Sequence, residues 1–313
     1  IYNLCIDKCI FPTLLKQAKV IPLPKSKDTT QPQNLRPISL LPILSKPLEK
    51  HIHKHMYHHL NTHHLIHQYQ SGFRPKHSCH TALIHLCKNW LSAINKTELI
   101  GTVFLDFEKA FDSISWSFIK KTLDFFKFGP DIKRWIDIFY KDITACVAIN
   151  GNYTGWFNIQ RGVRQGDPLS PHLYLISAEI LSLLIKQNKD IKGIKLAENV
   201  ETLLSQFADD TSLFLDGSKK GFEACVQCLE QFTDISGLKM NFEKTQIVWI
   251  GSRKNSDIRY MRDKNFIWNP GIFKLLGIKF SVNIEEIVPI NYDNKLQEIE
   301  TLLKIWSKRH LTP

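Results

Sequence analysis

The chain has 313 residues, 43% hydrophobic and 23% charged, which excludes a disordered or fibrous protein and allows a sizeable core. Its net charge of +11 asks for a polyanionic partner. No apolar run of about 18 residues and no amphipathic Lys/Arg helix is present, so nucleic acid is favoured and a membrane is not.

Seven cysteines, at 5, 9, 79, 87, 146, 225 and 228, form an odd set without framework spacing, so reduced thiols in an intracellular protein are expected. The chain opens on Ile1 without a signal peptide, and both ends look cut, as expected of a piece of a larger polyprotein.

Residues 1–98 read as helix-rich and basic. Pro22, Pro24, Pro32 and Pro37 interrupt them with extended segments around a polar loop. A helical pattern runs from Ile43 to His67 and holds eight of the 13 histidines. His51/His55, His55/His59 and His59/His63 have the i, i+4 spacing of zinc ligands. No acid lies between His51 and His67 and the histidines point all round, so a solvated face that charges at mild acidity is expected instead.

Residues 99–107, "LIGTVFLDF", read as a strand, and 113–127 and 130–142 as helices. "ACVAINGNYTGWFNIQ" predicts a hairpin turning at Asn150-Gly151. A helix follows with Ser170 as N-cap, Pro171 in its first turn and a stripe of Leu173, Ile176, Ile180 and Leu183 or Leu184. Residues 219–236 predict an amphipathic helix burying Phe222, Cys225, Val226, Leu229, Phe232 and Ile235 and stopping at Gly237. Cys225 and Cys228 then read as two helix positions facing the core, because no second ligand pair follows. "QIVWIG" and "LLGIKF" read as strands. Tyr292, Leu296, Ile299, Leu303 and Trp306 recur at spacings of 4, 3, 4 and 3, which predicts a helix with a core stripe. This order predicts an α+β fold whose lobes share one antiparallel sheet.

The informative oddity is "SQFADDTSLFL". Asp209 and Asp210 stand side by side between apolar flanks that pair naturally as a hairpin, with "ADDTS" as its tip. Two anions about 4 Å apart repel by about 4 kcal/mol at an effective dielectric near 20. A polar turn does not need that cost, and a divalent cation reverses its sign. Asp106, about 100 residues earlier, ends another apolar strand, where a lone acid is expensive unless paired or ligated. Oxygen ligands at this density suit Mg²⁺ or Mn²⁺. Two such ions clamp the attacking and leaving oxygens of a phosphoryl transfer.

"FLDFEKAFDSISW", "RGVRQGDPLSPHLYLI" and "FADD", in this order, resemble the motifs of reverse transcriptases of the LINE (non-LTR retrotransposon) type. "NLRPISLLP" and "QSGFRPKHSCHTAL" upstream, and "GLKMNFEKT" and "KLLGIKF" downstream, extend the resemblance from about Lys19 to Trp306. A lone "DD" is weak; seven ordered motifs are specific. A group II intron-type enzyme is the second candidate, less well matched between Arg36 and Phe73.

The resemblance implies a right-hand polymerase: helical fingers over 1–98, an antiparallel-sheet palm over 99–285 with a fingers-like insertion near 113–160, and the start of a thumb over 286–313. It implies an RNA-directed DNA polymerase that extends a DNA primer along an RNA template with deoxynucleoside triphosphates and two Mg²⁺ ions, for which Mn²⁺ can substitute. It implies metal-binding carboxylates at Asp106, Asp209 and Asp210, with Asp112 structural. Phe111 matches the steric gate against a 2′-hydroxyl. Gln165 and Gly166 match residues that approach the nucleotide and template base, and Arg161 and Arg164 are candidates for backbone phosphate. Lys25 and Arg36 match cations that hold the triphosphate, with Lys27 as a substitute for Lys25. Arg74 is assigned to nucleotide or template, Lys244 to general acid catalysis, and Leu276 and Gly277 to the primer terminus. Such an enzyme is expected in nucleus and cytoplasm as a ribonucleoprotein. A non-catalytic RNA-binding scaffold or a decayed copy is the alternative, opposed by three intact acids.

Overall fold

The computed structural model describes residues 1–25, 28–94, 99–195, 201–251, 254 and 256–307. Short helices α1 (Tyr2–Lys8) and α2 (Thr13–Lys16) lead into the hairpin β1 (Ala18–Pro24) and β2 (Leu35–Leu40). Proline lacks the N–H that a ladder needs. The hairpin tolerates it because Pro22 faces Pro37, beyond the Ala18–Val20 stretch of β1 that pairs on its other side. Helices α3 (Lys46–Thr62) and α4 (Cys79–Ile94) follow, then β3 (Leu99–Leu105), α5 (Ala110–Ser113), α6 (Trp116–Phe125) and α7 (Pro130–Tyr140). Strand β4 (Thr144–Ile149) lies parallel to β1 and pairs with β5 (Asn152–Tyr153) and β6 (Phe157–Asn158). The turn between β4 and β5 falls on Asn150-Gly151, both at positive φ, as the sequence predicts.

Next come α8 (Ser170–Gln187), β7 (Ile194–Lys195), β8 (Glu201–Thr202), β9 (Leu204–Phe207), β10 (Asp210–Leu215) and α9 (Lys219–Ser236). The remainder is β11 (Gln246–Gly251), β12 (Ile267–Trp268), the hairpin β13 (Ile272–Leu275) and β14 (Ile278–Ser281), and α10 (Ile284–Trp306). The architecture is α+β, but the expectation of one antiparallel sheet is corrected. Among the described residues there are two five-stranded sheets, β2-β1-β4-β5 with β6 beside β4, and β12-β11-β3-β10-β9, and each contains one parallel pair.

Strands β3 and β10 sit at the centre of the second sheet and are buried on both faces. Their side chains alternate between two cores, which is why both read as continuous apolar runs. Val103, Leu105, Leu213 and Leu215 join the main core beneath α8 and α9, while Phe104 and Phe214 join Trp90, Phe273 and Phe280 on the opposite face.

Five local expectations change. Helix α8 is buried nearly all round, with Leu173, Tyr174, Leu175 and Ile176 each at most 1% exposed, because α3, α6 and α9 all pack on it. Ser170 is its first residue and not its cap; the Asp167 carboxylate takes the Leu169 N–H instead (2.7 Å). Ile235 is exposed on α9, although Gly237 ends that helix in the left-handed conformation as expected. "LLGIKF" is a hairpin and not one strand: Leu276 (φ 47°) and Gly277 (φ 90°) form its turn. The stripe on α10 is helical but not core, since no residue of that helix is buried.

Candidate active site

Three strands fix the geometry. Thr211 of β10 pairs with Leu105 of β3, so the next step of the register sets Asp210 opposite Asp106, roughly 5 Å away across the ladder. On the other side of β3, Gln246 pairs with Phe104, and Lys244, in the turn just before β11, is close enough to Asp106 to favour its charged form. The main chain past β3 is tied down: the Asn241 N–H donates to the Asp106 carbonyl (2.8 Å), and the Asp106 N–H donates to Thr245 Oγ1 (3.4 Å). Asp209 occupies the tight turn between β9 and β10, just after Ala208, whose φ of 57° is left-handed.

The electrostatics agree with this convergence. Asp209 and Asp210 are solvent-accessible at the tip, yet protein crowds them on several sides. That partial desolvation raises the pKa of both, and repulsion from Asp209 and Asp106 helps push Asp210 up to about 6. Burial also raises Asp106, opposed by Lys244 and reinforced by Asp209 and Glu108. Desolvation, with mutual repulsion at Asp106 and Asp210, thus makes negative charge costly at this tip. Among the described residues no group of three or more His, Cys, Asp or Glu side chains is arranged to hold a metal ion. The donors present nevertheless fit Mg²⁺ or Mn²⁺: they are all carboxylate oxygens, they repel one another, and a divalent cation would relieve that repulsion.

The β1–β2 hairpin brings two exposed cations into this field. Lys25 acts on Asp106 and Asp112, and Arg36 on Asp209. Lys27 lies outside the described residues. The loop before α8 ties the hairpin to α5. Its Gln165 carbonyl accepts the Ser39 N–H (2.8 Å). At Gly166 (φ 119°) an added Cβ would stand 2.6 Å from the Ser39 carbonyl oxygen, so only glycine fits there. Val163 N–H donates to the Phe111 carbonyl (2.7 Å), and the half-buried Phe111 ring stacks on Tyr174 at 4.8 Å and 11°. Phe73 meets Phe111 edge-on at 6.0 Å. Asp112 is partly buried below the loop, where burial raises its pKa and Lys109 lowers it.

One assignment is corrected. Arg164 does not face a phosphate: it is buried, bridging Asp167 (3.0 Å) and Glu49 (3.4 Å). Arg74 spends Nη1 on the carbonyls of His67 and Gln70, both at 3.0 Å, and so braces the chain locally. Arg161 remains exposed. Lys244 is exposed, and Leu276 and Gly277 sit at their hairpin turn, tied to α4 through the Cys79 thiol (3.7 Å). The histidines of α3 form no metal set among the described residues, and neither do Cys225 and Cys228, which are buried in α9. His53 instead pairs with the buried His172 across 2.9 Å. The sequence reading missed Gln70, Gly72, Phe73 and Tyr174. The glycine of "QSGF" was the available signal, because a glycine outside a helix often marks close backbone approach.

A family model described as "Reverse transcriptase (RNA-dependent DNA polymerase)" matches residues 23–280, most of the chain. The chain belongs to the reverse transcriptase family. A Xenopus laevis relative of this reverse transcriptase chain, "Transposon TX1 uncharacterized 149 kDa protein", is 30% identical over 86% of the chain and 20% of that protein. The "RNA-directed DNA polymerase from mobile element jockey" of Drosophila melanogaster is 26% identical over 89% of the chain and 30% of that protein. The Drosophila melanogaster polyprotein from "type-2 retrotransposable element R2DM" is 27% identical over 90% of the chain and 27% of that protein. These relatives bear out the LINE-type resemblance, and the chain spans 20–30% of their lengths. In fold it is similar to apo telomerase from Candida tropicalis, with a TM-score of 0.57 at 14% identity over 86% of this chain and 47% of that one. That likeness establishes the right-hand polymerase fold. Among the described residues no helix is long and apolar enough to cross a membrane.

Proposed function

We propose that this chain is the polymerase module of a retroelement protein, an RNA-directed DNA polymerase that copies element RNA from a DNA primer 3′-end. The observation that carries the reading is the strand register that sets Asp106 opposite Asp210 at a tip faced by Lys25 and Arg36. Asp106, Asp209 and Asp210 would hold two Mg²⁺ ions, or Mn²⁺ in their place. When bound, those ions activate the primer hydroxyl and neutralise the triphosphate.

The protein's own groups supply the rest. Lys25 and Arg36, on a hairpin clamped by Gln165 and Gly166, orient the triphosphate. Phe111, stiffened by its stack on Tyr174, stands where a ribose 2′-hydroxyl would collide. Lys244, beside Asp106, protonates the departing pyrophosphate. Gln165 and Gly166 also border the template base, and Leu276-Gly277 the primer terminus. The fingers, palm and thumb divide at 1–98, 99–285 and 286–313, with 113–160 inserted in the palm. An enzyme with this substrate would work in the nucleus and pass through the cytoplasm as a ribonucleoprotein.

Primer extension on an RNA template with Mg²⁺ and deoxynucleoside triphosphates tests the reading, with Asp209→Ala as control. Extension by the parent and none by Asp209→Ala is expected. Equal extension by both would overturn the assignment.

A further inference from the structure

Residues 69–72 have no role in the mechanism above, yet they are stitched to the turn that carries Asp209. Gln70 is 1% exposed, and its Oε1 accepts from two backbone donors, Gly72 N–H (2.9 Å) and Ala208 N–H (3.1 Å). Its Nε2 donates to the Ala208 carbonyl at 3.5 Å. The main chains pair beside it: Ser71 N–H donates to the Gln206 carbonyl (2.9 Å), and Gln206 N–H to the Tyr69 carbonyl (3.0 Å). Gln206 is propped from beneath by the Ser182 hydroxyl (2.8 Å) and reaches on to Thr211 Oγ1 (3.3 Å). At Gly72 an added Cβ would stand 2.2 Å from the Ala208 nitrogen, so the backbones touch.

Ala208 is a non-glycine residue at φ 57°, a conformation that persists only when its surroundings impose it. The Gln70 amide and the Gly72 contact are such surroundings. Asp209 is the next residue, so a change at Ala208 would move the backbone from which its side chain projects.

We propose that Gln70 is a positioning residue. Seated against the turn by Gly72, it holds Ala208 left-handed and so aims Asp209 at the cation-bound phosphates of the incoming nucleotide. The proposal rests on the role assigned to Asp209 above. A buried amide serving two N–H donors cannot be replaced by an apolar isostere without orphaning both. A displacement of roughly 1 Å in a reacting group costs about 100-fold in rate.

The experiment compares the parent with Gln70→Met, Gln70→Glu, Gly72→Ala and Asp209→Ala, with the remote core variant Ile119→Val as stability control. It reads single-turnover extension rate, primer–template affinity, melting temperature, and Mn²⁺ binding by titration of the free ion. Gln70→Met should extend about 100-fold more slowly and bind Mn²⁺ more weakly, with unchanged primer–template affinity and with Ile119→Val near the parental rate. Gln70→Glu, which keeps the acceptor oxygen, should recover at least about tenfold of that loss. Gly72→Ala should behave as Gln70→Met. Should those two not fold, Ser182→Ala, which only loosens the prop under Gln206, should slow extension by about tenfold. Parental rates and Mn²⁺ binding in the folded variants would overturn the proposal while leaving Asp209 in place. A parent that does not extend, or an Asp209→Ala that does, would overturn the reading beneath it.

Discussion

Two acid clusters lie on either side of the loop before α8, and the protein treats them in opposite ways. In the first, Glu49 and Asp167 surround Arg164 in the interior, all three side chains at most 2% exposed. Burial, with help from Asp167, raises the pKa of Glu49 against the pull of Arg164, so the acids here are answered by an internal cation and by one another. In the second, the cations that act on Asp106 and Asp209 among the described residues, Lys25, Arg36 and Lys244, are all exposed, and none is a buried arginine. Acids neutralised inside the fold are structure. Acids left unbalanced at an accessible tip are a site waiting for positive charge. The comparison separates "RQGDP", which reads as a nucleotide-binding loop, into a buried clamp (Arg164, Asp167) and an accessible pair (Gln165, Gly166).

The largest expected effect comes from breaking the buried cluster. Arg164→Met leaves Asp167 uncompensated and should lower stability by roughly 3–5 kcal/mol in urea unfolding. A loss under about 1 kcal/mol would show that the buried arginine is dispensable and blur the contrast. Next, Phe111→Val should raise ribonucleotide incorporation relative to deoxynucleotide roughly 10–200-fold in competitive extension assays. Unchanged discrimination would reduce Phe111 to a packing residue.

A third test uses His172, whose pKa burial, aided by His53, pushes down to about 3. A histidine held neutral in the fold contributes stability that is present above its unfolded value of about 6.5 and lost as pH falls below it. The parent should therefore lose roughly 1 kcal/mol per pH unit more than His172→Phe between about pH 6 and 5, read from paired unfolding curves. Parallel curves would remove His172 from the acid sensitivity. The smallest effect belongs to the exposed pair Lys120–Asp137, whose side chains are 57% and 52% exposed. Lys120→Ala should shift stability by no more than about 0.2–1 kcal/mol, because solvent screens the pair. A larger loss would undercut the distinction between exposed and buried charge.

Much of this was legible in the chain, for reasons that differ by residue. Asp106, Asp209 and Asp210 stood out because acids beside apolar strands are costly, and that cost survives folding. The turns at Asn150-Gly151 and Gly237 were legible because their backbone demands few residue types. Arg164 was misread because a motif lists neighbours without saying which point inward; in this loop Arg164 and Asp167 turn to the core while Gln165 and Gly166 between them stay accessible. The α10 stripe failed for a related reason: Leu296 and Ile299 have core-like spacing, but periodicity says nothing about whether a partner covers the face. Gln70 was invisible because its partners lie 138 residues away. "LLGIKF" hid a turn because Leu276 adopts a left-handed conformation that leucine rarely takes.

The central claim, that the tip carboxylates are kept for chemistry and not for stability, is tested most directly by Asp210→Asn. Its melting temperature in metal-free buffer and its extension rate with Mg²⁺ should be measured on one preparation. Neutralising a repelling, partly desolvated acid should leave the melting temperature equal or higher while extension on an RNA template collapses. A lower melting temperature with extension preserved would contradict the account.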